Sequence, residues 1–178
     1  MDGAKDLKKI YLYFKNNTRA LVSWSLLLIW MIIIFILSAQ TADESSSTSG
    51  SLLSFILKLT YPGYKLMDSS EQFVVLETYQ HIIRKSAHFM VFGVLGILAV
   101  NAYKSIHIRN NGLVIILSLA TCIGYAVLDE IHQIFVPGRS CEIMDIVLDS
   151  CGSFIFIALT IFIFYLFENK KSKLVEKP

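Results

Sequence analysis

Residues 125–152, YAVLDEIHQIFVPGRSCEIMDIVLDSCG, set carboxylates, a histidine, an amide and a guanidinium between two strongly apolar runs. Asp129, Glu130, His132, Gln133, Arg139, Glu142, Asp145 and Asp149 supply both signs of charge and both halves of a proton-transfer pair. A smaller group, Arg84, Lys85 and His88, opens another apolar run. Ionisable groups in or beside membrane-spanning segments are costly, and chains that keep them generally use them.

On a helix, residues three and four apart share a face. Lys85, His88, Phe89 and Phe92 therefore form one stripe, Asp129, His132 and Gln133 a second, and Glu142, Asp145, Asp149 and Gly152 a third. Glu130 stands about 100° from the second stripe by the 3.6-residue period. Two chemistries fit. In one, Lys85 and Arg139 bind the phosphate or carboxylate of an amphiphile, the planar guanidinium fork suiting such groups. In the other, His132 and Asp129 act as a general acid/base pair tuned by Asp149 or Glu130. His88, Gln133, Asp145 and Gln40 are further candidates for ligand contacts. A metal variant would draw on His88, His132 and one or two of Asp129, Asp145 and Asp149, but no HExxH or similar close ligand pair is present, so no metal site is assigned. The residues specify no cofactor. The structural alternative is a buried salt-bridge network that only fixes helix packing.

The elements that must position these groups follow from composition. Of 178 residues, 54% are apolar and 17% charged, against about 45–50% and 25% in soluble domains. The expectation is an all-α, polytopic integral membrane bundle with the lipid bilayer as its first partner. A net charge of +2 argues against nucleic acid. Three cysteines without CxxC spacing argue against a disulfide framework or a thiolate zinc site. Four spans are expected, at about 20–38, 87–103, 113–132 and 143–167, each near the ~20 residues that cross hydrocarbon once polar ends are included. Residues 20–167 form the membrane domain, flanked by basic tails at 1–19 and 168–178. The first apolar run exceeds the ~7–15 residues of a signal-peptide core and reads as a retained span.

Orientation follows the excess of Lys and Arg on the cytoplasmic side. The two tails and the loop near Lys104 and Arg109 carry eleven; the opposite segments carry five, Lys58, Lys65, Arg84, Lys85 and Arg139. Both termini are therefore expected in the cytoplasm of a plasma-membrane protein, and both polar groups fall at the outer level. The outer segment 39–86 begins with Ser-rich residues 40–50, expected to be flexible. An apolar stretch at 51–60, too short to span, is expected to lie at the interface as a helix, and Pro62-Gly63 breaks it. Asp68 or Ser69 is expected to cap a further helix toward Arg84, with Glu71 in its first turn. Phe135 is expected to end the third span, since Pro137 disfavours helix at Val136. Gly93, Gly96 and Gly152 are expected to let helices approach closely. Ser38 and Gln40 either cap the first span or complete the site.

The composite resembles the VanZ-like family of small bacterial membrane proteins. The resemblance rests on Arg84-Lys85-x-x-His88-Phe89-x-x-Phe92, on Asp129-Glu130-x-His132-Gln133-x-Phe135-x-Pro137-Gly138-Arg139, on Asp145-x-x-x-Asp149-x-x-Gly152, and on Ser38-Ala39-Gln40 after the first span. It implies teicoplanin resistance as the family-level phenotype and a lipid-linked envelope precursor or lipoglycopeptide as partner. One difference stands out: Asn is common in the family pattern at the place of Asp149, and the added carboxylate is either paired by Lys85 or Arg139 or holds a proton. The expectation is a protein that binds or modifies an amphiphilic cell-envelope molecule at the outer face. A non-catalytic scaffold built on a polar network is the alternative. A small transporter is disfavoured, because the four spans place no charge deep in the membrane.

Overall fold

The structure, a computed structural model, describes the backbone of residues 3–175 and the side chains of residues 17–167, 169 and 170. Most of the basic side chains in the two tails, those of Lys5, Lys8, Lys9, Lys15, Lys171, Lys173 and Lys177, lie outside the described ones. The described residues form five α-helices: α1 (Gly3–Ser38), α2 (Ala42–Thr60), α3 (Ser69–Ser105), α4 (Asn111–Gln133) and α5 (Ile143–Val175), with a 3₁₀ turn at Pro62–Leu66. Among the described residues, four stretches are long and apolar enough to cross a membrane: Asn17–Ser38, Ser69–Ser105, Asn111–Gln133 and Ile143–Phe167.

Local signals explain the boundaries. Thr41 caps α2: its hydroxyl accepts from the Glu44 amide at 3.3 Å, and the Glu44 carboxylate accepts from the Thr41 amide at 2.9 Å. The Thr41 amide and the Thr41 hydroxyl, both donating to the Glu44 carboxylate, hold it below its ordinary pKa. Such a reciprocal box satisfies two orphan donors of the first turn. The Ser-rich segment is therefore helical from Ala42 rather than flexible, and its hydroxyls fold back on the helix, as with Ser49 Oγ to the Ser45 carbonyl at 2.8 Å. Pro62 stops α2. Asp68 and Glu71 form a second box at 2.8 and 3.1 Å and start α3.

The second span differs most from expectation. Instead of a helix toward Arg84 followed by a span at 87–103, one unbroken helix of 37 residues covers both. Nothing between Ser69 and Ser105 interrupts it, because Arg84 and Lys85 are good helix formers. At 1.5 Å per residue it is about 55 Å long, well beyond the ~30 Å hydrocarbon layer. At the end of α4, regular helix stops at Gln133, two residues before Phe135. Shorter bonds from Phe135 N to His132 O and Val136 N to Gln133 O tighten the exit, and Gly138 turns the chain with φ 75°.

The bundle closes around Leu27 and Ile34 of α1, Phe92, Leu95 and Ala99 of α3, Cys122 of α4 and Ile157 of α5. α3 packs most extensively on α5, and glycines set that distance. A Cβ on Gly152 would meet the Phe89 carbonyl, one on Gly96 the Ser153 carbonyl at 2.9 Å, and one on Gly93 the Phe156 ring at 2.7 Å. Ser153 Oγ donates to the Phe92 carbonyl at 3.0 Å across the same seam. Trp30 Nε1 donates to the Val91 carbonyl at 3.0 Å and joins α1 to α3; Tyr125 Oη donates to the Met31 carbonyl at 2.5 Å and joins α4 to α1. α2 returns along the N-terminal half of α3, where Gln80 Nε2 donates to the Ser46 carbonyl at 2.6 Å. Its first turn is pinned to the α4–α5 connection by the Ala42 amide donating to the Pro137 carbonyl at 3.3 Å.

Candidate functional site

The end of α1, the middle of α3, the end of α4 and the start of α5 meet at one level of the bundle, and their polar side chains form three connected parts.

The first is a tie between α3, α4 and α5. Lys85 Nζ donates to Glu142 Oε2 at 2.9 Å and also pairs with Asp145. The Glu142 amide donates to Glu130 Oε2 at 2.8 Å, so a buried carboxylate of α4 holds the entry of α5. The Lys85 ammonium holds the Glu142 carboxyl below its ordinary pKa. Lys85 is thus engaged by carboxylates.

The second part is a sealed acid layer. Asp129, Glu130 and Asp149 are 3%, 0% and 0% exposed. Gln133 Nε2 donates to Asp129 Oδ2 at 3.3 Å and to Ser38 Oγ at 3.2 Å. Asp129 Oδ1, Glu130 Oε1 and both Asp149 oxygens have no hydrogen-bond partner. Asp149 is paired by neither Lys85 nor Arg139; the basic side chain beside it is His88, whose Nδ1 stands 3.8 Å from Oδ2, longer than a hydrogen bond. His132 packs its ring on Phe35 of α1, with ring centroids 4.3 Å apart and the planes tilted by 35°.

The third part is a cavity of about 140 Å³ between α1, α2 and α3. Ile34, Leu37, Leu52, Val91 and Phe92 make most of its wall apolar; Arg84, His88 and Arg139 bring the charge, and Ser38, Gln40 and Ser49 the neutral polar groups. Arg139 Nε donates to the Gln40 carbonyl at 3.2 Å. Burial pushes the Arg139 guanidinium below its ordinary pKa, and repulsion from Arg84 adds to the effect, yet an arginine remains charged. Neither Arg84 nor Arg139 has a carboxylate within ion-pair distance among the described residues. Two half-buried guanidiniums facing each other across apolar walls make an anion-binding arrangement.

The structure thus brings Gln40, His88 and Arg139 to the cavity, Lys85 and Asp145 to the tie, and Asp129, Glu130, Gln133 and Asp149 to the sealed layer. The trio Asp129, Glu130 and His132 does not line the cavity. Arg84, by contrast, was not among the expected site residues. Helical spacing contains the signal: Arg84, Ala87, His88 and Val91 are i, i+3, i+4 and i+7, the stripe that faces the cavity, whereas Lys85 lies about 100° away. Ser49 and Leu52 had no such signal, because only the return of α2 along α3 brings them there. Among the described residues no three His, Cys, Asp or Glu side chains are grouped to hold a metal ion.

An all-helical chain with four apolar helices of spanning length and a polar layer near one end defines a multi-pass helical membrane protein. The family model described as VanZ/LLP1 matches residues 23–167, a range that holds every side chain of the three parts. The chain belongs to this family and is a plasma-membrane protein. No curated protein and no solved structure matches it.

Proposed function

We propose that this VanZ-like protein binds an amphiphilic cell-envelope molecule at the outer face of the plasma membrane. Arg84 and Arg139 hold its anionic group, and the Ile34, Leu37, Val91 and Phe92 wall receives apolar atoms next to that group. The observation that carries the reading is the pair of half-buried guanidiniums that share an apolar cavity without a carboxylate. Like charges so placed repel, and a phosphate or carboxylate between them relieves the repulsion while taking charge-assisted hydrogen bonds. The excess of Lys and Arg in the tails and in the loop near Lys104 and Arg109 supports cytoplasmic termini, hence an outward cavity. A lipid-linked envelope precursor or a lipoglycopeptide has the required chemistry, and glycopeptide resistance of the teicoplanin type is the family-level phenotype this reading accommodates.

The test is thermal stabilisation of the purified chain in uncharged detergent by teicoplanin, lipid-linked peptidoglycan precursor and anionic lipids. Stabilisation is expected from amphiphiles with an anionic head, and Arg84→Ala and Arg139→Ala are expected to weaken it by about 10- to 100-fold in apparent Kd. That range corresponds to ~1.5–3 kcal/mol for a hydrogen bond to a charged group. Variants that melt cooperatively and keep wild-type stabilisation would overturn the reading. A packing role is favoured for the tie alone, where Lys85 pairs with Glu142 and Asp145, and Glu130 Oε2 accepts from the Glu142 amide, away from the cavity.

A further inference from the structure

The acid layer and the cavity are in contact through one side chain. Asp129, Glu130 and Asp149 are shut off from solvent, while His88 keeps 21% of its side chain exposed and lines the cavity. The two nitrogens of an imidazole lie on different edges of the ring, so a histidine whose Nδ1 faces a carboxylate has Nε2 free for other work. A ring held in this way by a buried carboxylate is the arrangement that orients a nucleophile or a base. Arg84, one helical turn before His88, and Arg139 from the α4–α5 connection line the same cavity. Guanidiniums aimed at a phosphoryl group stabilise the charge that builds on its oxygens during transfer.

From this juxtaposition we infer that the protein is a hydrolase of lipid phosphates, with His88 as the nucleophile on the terminal phosphoryl group and Asp149 as the residue that positions it. The inference rests on the cavity being the amphiphile site described above. His88 reacts as the neutral ring, its proton on Nδ1 toward Asp149. A bond forms between Nε2 and phosphorus while the bond from phosphorus to the lipid oxygen breaks. A water gives a proton to the departing oxygen, and the resulting hydroxide attacks the phosphorus of the phosphohistidine. The phosphorus–nitrogen bond breaks, its electron pair returns to Nε2, and inorganic phosphate leaves. The sum is lipid phosphate plus water giving the dephosphorylated lipid plus phosphate, with no other reactant. The 3.8 Å between Nδ1 and Asp149 is within the range that tightens when a substrate seats.

The experiment measures phosphate release by the purified full chain in detergent from a polyprenyl phosphate, a polyprenyl diphosphate and phosphatidic acid. A fatty acid serves as the amphiphile that binds without a phosphoryl group. Release is expected from at least one phosphate lipid, and the comparison of polyprenyl with diacylglycerol substrates tells which lipid class the site takes. His88→Gln should lower release by at least about 100-fold. Asp149→Asn should lower kcat by about tenfold or more with KM kept when the rate is counted per folded chain from the amplitude of its cooperative melt, so that a loss of folded protein is not read as a loss of kcat. An acid-labile, base-stable phosphoryl label mapping to His88 in the wild-type chain supports the step even if His88→Gln fails to fold. Stabilisation by phosphate lipids without release above the His88→Gln background overturns the hydrolase and leaves the binding site standing. Release that survives His88→Gln also overturns it. Neither stabilisation nor release would take down both readings.

Discussion

Gly152→Ala should damage the protein through one added methyl group, and Gly124→Ala should not. In the wild type the position of a Cβ on Gly152 is set against the backbone of Phe89, nearest to its carbonyl oxygen, then at 3.1 Å from C and 3.2 Å from Cα. None of these atoms belongs to a flexible side chain, so α3 and α5 must separate. Ordinary carbon contacts lie at about 3.5–4.0 Å, which makes the separation on the order of 1 Å. Overpacking costs about 1–3 kcal/mol, and a rigid backbone opponent puts this case in the upper half, about 2–3 kcal/mol. For a chain of this size each kcal/mol moves Tm by roughly 2–4 °C, so a fall of about 4–12 °C is expected. Gly124 has nothing within 4 Å of its Cβ position, and alanine there should be neutral or stabilising by up to ~1 kcal/mol. Melting both variants with wild type in one detergent checks the contrast. The separation also falls between His88 and Asp149, neighbours of Phe89 and Gly152 on the two helices, so phosphate release should suffer in Gly152→Ala before unfolding begins. Equal melting of Gly152→Ala and wild type would refute the claim that glycine contact sets the α3–α5 distance.

Three further perturbations probe the polar layer. Lys85→Met should cost about 1–3 kcal/mol, between the limits for exposed and buried pairs, because it strands Asp145 beside the exposed Glu142; a thermal melt reads it. Glu130→Ala should destabilise by about 1–3 kcal/mol by leaving the Glu142 amide without its acceptor, and Glu130→Gln, which keeps an acceptor oxygen, should cost less. The Glu142 carboxyl is held below its ordinary pKa by Lys85, so it binds its proton more weakly folded than unfolded. Its contribution is therefore complete above the ordinary glutamate pKa and is lost as pH falls through the lowered value. Wild type should lose stability over that acidic window by an increment absent from Glu142→Gln, measured as the difference between their melting curves at pH 7 and at stepwise lower pH.

Helix boundaries with a chemical cause were legible in the sequence, while arrangements made by packing were not. Asp68 with Glu71 signals the start of α3, and Thr41 with Glu44 carries the same signature for α2. There the serines that follow obscured it, since Ser is counted a loop former and only the capping geometry makes it helical. The two polar groups were readable because charge in an apolar context is conspicuous. Their division was not: whether Lys85 or Arg84 looks toward Arg139 depends on 100° of helix rotation, which the seam of glycines fixes by choosing the face that α3 presents to α5. The cavity itself needs α2 folded back along α3, a placement held by the Gln80 and Pro137 bonds between residues far apart in the chain.

An unbroken helix also has mechanical consequences. α3 carries the α2 hairpin on one arm and the Lys104 loop on the other, and it is clasped between them where Gly93 and Gly96 touch α5. A rod gripped along a seam shorter than itself pivots there: a tilt of the hairpin arm swings the far arm the opposite way. With about 24 residues before Gly93 and 12 after it, at 1.5 Å each, the ratio of arms is about two to one. Displacement at the hairpin end of α3 would reach its other end halved in amplitude and reversed in direction.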